Sequence, residues 1–211
     1  MILQLQIGPI AGTNKISDGL TPNLRGGLMG DLIVSKLQGD YFENTYRQKT
    51  FNGGIVGQVT SAALSTTYTG LCLSNPVGSG WLLVPTLVGY GFIVAPAAGM
   101  AIGLMTGYNS STNVTHTAVV TPRNNYFGVG GNGVGLLDNS ATLPTAPTIN
   151  TIFDAMTAAT ITTSPKAPGG LIDLKGAIAL PPGAYCCIYT SVASGAAGGH
   201  FSFTWNEIPL S

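Results

Sequence analysis

The sequence predicts an all-β fold, an antiparallel sandwich or barrel preceded by an N-terminal arm. Three observations point to it. Thirty Gly and 13 Pro make 43 of the 211 residues, too many breakers for long helices. Val, Ile, Leu and Tyr nevertheless pattern the chain too regularly for disorder. Beyond residue 50, short apolar runs alternate with Gly, Pro, Asn and Ser clusters at the spacing of successive strands.

Residues 1–50 read as an extended arm holding a short strand or turn. Leu32 to Val34 is a brief apolar run, a Tyr/Phe cluster follows, and neither the helical nor the strand period prevails. Residues 51–211 read as the β domain. Its first strands are expected over Val59–Leu73 and Leu82–Val94. In the second, Val88, Tyr90, Phe92 and Val94 fall on a bulky side, and Leu87, Gly89, Gly91 and Ile93 on a flat one. A flat face suits a close neighbour. Met100–Gly107 and Val114–Thr121 follow, separated by the turn cluster Tyr108–Asn113. Thr148–Ala159 is the single helix candidate, with Ile149, Ile152, Phe153 and Met156 at helical spacing, although its Thr residues weaken it. Ala177–Leu180, Tyr185–Thr190 and Phe201–Glu207 complete the strands. The last alternates cleanly, with Phe201, Phe203 and Trp205 on one face, so it belongs in the core.

Charge narrows the function. Asp, Glu, Lys and Arg make 8% of the chain, where an ordinary soluble domain has roughly 25%. Between Thr50 and Leu137 the only charged side chain is Arg123. Seven of the 16 charges crowd between Arg25 and Lys49. A surface this neutral is expected to be covered by other subunits, or solvated by Thr, Ser, Asn and backbone. Zero net charge argues against nucleic acid as a partner. The uncharged stretch Trp81–Thr106 could span a bilayer by length, but Pro85, Pro96 and its glycines favour strands, so no membrane partner is expected. Met1-Ile-Leu-Gln-Leu-Gln lacks a basic leader, which places synthesis in a cytoplasm. Cys72, Cys186 and Cys187 sit in apolar runs and read as buried free thiols.

Little in the sequence suggests chemistry. Gly128-Val-Gly-Gly-Asn-Gly133 fits a dinucleotide-loop pattern, yet no helix is expected after it. His116 and His200 have no second ligand nearby in sequence, and Asp138 and Asp154 stand apart from both. No catalytic residue, cofactor or metal is expected. The candidate site is instead an interface. Arg25, Tyr41, Phe42, Tyr46, Arg47 and Phe51 form an aromatic and charged segment of the kind enriched at contacts. Leu87, Gly89, Gly91 and Ile93 form the flat face for self-association.

Two segments carry a resemblance. Leu71-Cys-Leu-Ser-Asn-Pro-Val-Gly-Ser-Gly80 and Leu180-Pro-Pro-Gly-Ala-Tyr185, with Phe201-Ser-Phe-Thr-Trp-Asn-Glu-Ile-Pro209, resemble segments of tailed-bacteriophage virion proteins. The likeness is to capsid decoration (cement) proteins with a tumour-necrosis-factor-like jelly roll. It implies a jelly-roll sandwich, a homotrimer, and a place on the outer capsid surface bridging subunits of the major capsid protein. A head-fibre or tail receptor-binding protein, gripping glycans through Tyr108–Asn113, is the alternative. A jelly-roll major capsid protein would want a basic arm, and Met1–Asn23 has only Lys15. A secreted enzyme would want a site the sequence does not display.

Overall fold

In the computed structural model, residues 39–61, 64–94, 96, 98–128, 133–156, 169–195 and 198–210 are described. The chain divides into two compact units, Met1–Phe42 and Glu43–Ser211. The second is a β-sandwich. Its strands are β1 (Thr50–Gln58), β2 (Thr67–Ser74), β3 (Trp81–Phe92), β4 (Met100–Tyr108), β5 (Thr115–Val120), β6 (Arg123–Asn124), β7 (Leu136–Thr142), β8 (Thr148–Met156), β9 (Gly169–Asp173), β10 (Ala184–Thr190) and β11 (Gly199–Pro209). One short helix, α1 (Phe42–Tyr46), precedes them.

The five-stranded sheet runs β6-β1-β11-β3-β9 and the six-stranded sheet β5-β7-β2-β10-β4-β8. Every pairing is antiparallel. With β5, β6 and β7 set aside, the other eight strands, counted along the chain, lie 1-8-3-6 in one sheet and 2-7-4-5 in the other.

The main core lies between the sheets. Phe201, Phe203 and Trp205 of β11 meet Phe51, Val88 and Phe92 from the neighbouring strands, and Leu71, Leu104 and Ile188 from the facing sheet. Trp205 stacks on Phe51 at 6.2 Å, and Phe201 meets Phe92 edge-on at 5.6 Å. Aromatic pairs in such geometry add to the burial of each ring. A second cluster covers the other face of the six-stranded sheet. Tyr185, Cys187 and Tyr189 alternate there with Cys186 and Ile188 of the main core. Val114 and Leu143, from the connections before β5 and after β7, complete that cluster. Tyr185 fastens the second connection by donating its hydroxyl to the Thr145 carbonyl at 2.6 Å. With both faces covered, all seven residues of β10 are buried. Such strands read as continuous apolar runs, as this one does.

Several expectations change. Thr148–Met156 is strand β8, not helix, and two irregularities interrupt its pairing with β4, at Ile102/Gly103 and Leu104/Met105. Each extra residue in a bulge displaces the side-chain alternation, so Phe153 and Met156 reach the core at a spacing that imitates a helix. The tyrosine cluster, expected to be extended, contains α1. Its partner strand was not anticipated: β1 begins at Thr50 and pairs with β11, so Phe51 is 6% exposed in the core and is not an interface residue. The strand expected over Val59–Leu73 starts only at Thr67. Strands β7 and β9 were unforeseen, and Ala177–Leu180 contributes just an isolated bridge between Leu180 and Leu83.

Candidate functional site: a flat neutral sheet face and a buried carboxylate

The outward side of β1, β11, β3 and β9 follows from the alternation in β11. Phe201, Phe203 and Trp205 point inward, so Ser202 and Thr204 point outward. Register then sets one row across the sheet: Gly54, Ser202, Gly89 and Leu171. The rows beside it hold Asn52, Thr204, Leu87 and Asp173 on one side, and His200, Gly91 and Gly169 on the other. Three of the four central positions are Gly or Ser, so backbone lies bare at the middle of the face. A Cβ at Gly89 would come within 2.5 Å of the Ser202 hydroxyl, and one at Gly54 within 2.8 Å of the Phe201 carbonyl oxygen. The result is a shallow depression of about 380 Å³. Val56, 79% exposed, lines it, and Leu171, at the β9 end of the central row, is 67% exposed. Among the described residues of these three rows, Asp173 is the single carboxylate. The His200 Nε2 is buried with no hydrogen-bond partner among the described residues.

The expected interface residues divide. Leu87, Gly89 and Gly91 share this face as anticipated. Ile93 lies beyond the end of β3 and is exposed, outside the rows. Tyr46 and Arg47 are exposed near β1, where Arg47 pairs with Glu43 at 2.6 Å and Tyr46 meets the Tyr126 ring edge-on at 6.3 Å. Tyr41 and Phe42 fall within the Met1–Phe42 unit, and Arg25 lies outside the described residues. Gly54, Leu171 and Ser202 were missed. The alternation of Phe201, Phe203 and Trp205 already implied an outward Ser202, but its neighbours needed the unrecognised strands β1 and β9.

A second feature corrects the view that Asp138 stands apart from the histidines. Asp138 on β7 is fully buried, and its Oδ2 bonds the Nδ1 of His116 on β5 at 2.5 Å. The other oxygen, Oδ1, has no partner among the described residues. Burial pushes the carboxyl up from its ordinary range, and the His116 bond partly opposes that rise. His116 also lines a small cavity of about 120 Å³ with Ser74, Asn75 and Asn113. Asn75 is occupied in holding the chain: its amide donates to the carbonyls of Trp81 and Leu180 at 2.7 and 2.8 Å. The second buried carboxylate, Glu207, is fully engaged. It accepts from the backbone N–H of Val134 and Gly135 and from the Trp205 indole, at 2.9, 2.8 and 3.1 Å.

The glycine run beginning at Gly128 opens into strand β7, not a helix, while its residues 129–132 lie outside the described residues. Among the described residues no group of three His, Cys, Asp or Glu is placed to hold a metal. No described helix is long and apolar enough to cross a membrane. No protein-family model matches the chain, and no curated protein or solved structure proves detectably similar to it.

Proposed function

We propose that this chain is a structural virion protein of a tailed phage, a homotrimer that decorates the outer capsid surface and braces it by bridging major capsid subunits. The observation that carries this reading is the flat, neutral outer face of β1, β11, β3 and β9. Exposed aliphatics around bare backbone gain little from water, and a second copy can approach closely where Gly54, Gly89 and Gly91 present no side chain. The strand order 1-8-3-6 over 2-7-4-5 supports the jelly roll that the sequence resemblance implies. The work would be mechanical: each trimer adds contacts that must break before DNA pressure opens the shell. Those contacts would be apolar and backbone in character, so salt screens them little.

Two measurements test the reading. Electron microscopy of the virion should place the protein on the outer head surface between capsid subunits. Density in the tail or inside the shell overturns it. Native mass spectrometry of the isolated chain should give three times the 21.6 kDa chain mass, and binding to heads should survive molar salt.

A further inference from the structure

The geometry points to a binding site for a neutral saccharide in the open cleft beside Tyr108. This cleft lies at one end of the sandwich. It is framed by the end of β4, the start of β8 and the connection that leads into β10. Its volume of about 460 Å³ falls within the range of small-ligand sites, roughly 300–1,000 Å³.

The wall chemistry selects the ligand class. Tyr108 is 56% exposed, unusual for so large a ring. Its backbone is nonetheless fixed: Tyr108 pairs with Ala184 in the sheet, and the next residue, Asn109, donates its N–H to Gly183 O at 3.0 Å. A rigidly mounted, exposed aromatic loses little entropy when a ligand stacks on it. Thr148 and Asn150 stand exposed on β8, the strand beside β4, and line the same cleft. The Asn150 Oδ1 accepts from Thr151 Oγ1 at 2.8 Å, and its amide N–H groups have no partner among the described residues. The remaining wall is Ala177 to Pro181, an apolar stretch whose Leu180 is buried, with its N–H and carbonyl both bonded to Leu83.

No Asp, Glu, Lys, Arg or His lines the cleft. An anionic or cationic ligand would give up its hydration without a counter-charge in return. A purely apolar ligand would strand the Asn and Thr groups. A pyranose matches both halves. Its C–H face lies against the tyrosine ring, and its hydroxyls, each donor and acceptor, meet the Thr and Asn side chains. The role is additional to capsid bracing and would hold whatever part of the virion the protein occupies.

The test uses the intact chain and saturation-transfer NMR with a panel of neutral oligosaccharides built from glucose, galactose and N-acetylglucosamine. We expect transfer to ring C–H protons for at least one sugar, and affinity falling about tenfold in Tyr108→Ala and in Asn150→Ala. Tyr108→Phe should keep most of the binding because the ring is retained. Unfolding temperatures of all three variants should match the parent, since both side chains are exposed. Failure of every sugar in the panel overturns the site, and so does undiminished binding by Tyr108→Ala. Binding of labelled protein to whole host cells identifies the source. Inhibition by the free sugar names a cell-surface glycan, whereas binding of free sugar without cell attachment names a soluble one; both outcomes uphold the site.

Discussion

Asp138 is a carboxyl group held where water does not reach, with one oxygen on an imidazole and the other on nothing among the described residues. Burial raises its pKa, so folding favours the protonated acid. Stability from that proton is present below the unfolded carboxyl value of ~3.9 and is lost as pH rises through the higher folded value. Asp138→Asn should therefore melt higher than the parent at neutral pH, with the gap closing as pH falls toward 4; a constant gap across a calorimetric pH series would contradict this. His116→Ala should cost about 1–3 kcal/mol in urea unfolding, because it leaves a buried acceptor unpaired, and much less in the Asp138→Asn background. The pair was not legible in the sequence. Twenty-two residues separate its members, and they meet only because β5 lies beside β7 through a doubly irregular register. The cysteines were legible, since apolar flanks on both sides of a thiol mean burial. All three are buried and free, and burial pushes the thiols of Cys186 and Cys187 far up. A thiol reagent should find almost nothing in native protein and all three after denaturation.

Among the elements, β3, β10 and β11 announced themselves because each buries a large, regular set of side chains. Strand β1 did not, because Gly53, Gly54 and Gly57 dilute its apolar pattern, and β9 was too short, with two glycines in five residues. Strand β8 misled for a mechanical reason, its two bulges shifting side chains out of simple alternation. The flat half of β3 was legible as alternation, yet the face it belongs to needed two strands that sequence did not disclose. Phe51 shows what this distinction means in practice. Placed in β1 against Trp205, it should act as a core residue: Phe51→Ala should lose about 3–5 kcal/mol in chemical unfolding while leaving the mass of the assembly unchanged. Loss of assembly with stability intact would return it to the interface.

For the whole molecule, the flat face makes the sharpest claim. Ser202→Lys puts a charge at its centre from an exposed position, so it should convert the proposed trimer to monomer without lowering the melting temperature by more than a few degrees. A trimer that tolerates the lysine would move the contact elsewhere. The boundary between the two units also shifts the design of a shortened chain. Gln48 O accepts from the Asn124 amide at 2.8 Å and the Lys49 N–H donates to Asn44 O at 2.8 Å, both lost when residues 1–48 are removed, so a cut after residue 42 should fold better than one after residue 48. The order of strands adds a consequence in time. Strand β11 sits between β1 and β3, and it is the last of the described strands to be synthesised. Until the ribosome has passed residue 209, β1 and β3 have no common neighbour and the facing aromatics have no floor. The sandwich therefore forms only after nearly all of this sequence has emerged, whereas a chain halted earlier keeps its apolar strands open to proteases. Truncated copies would thus be removed before they could enter the proposed trimer, because an unfinished copy has no finished face to offer.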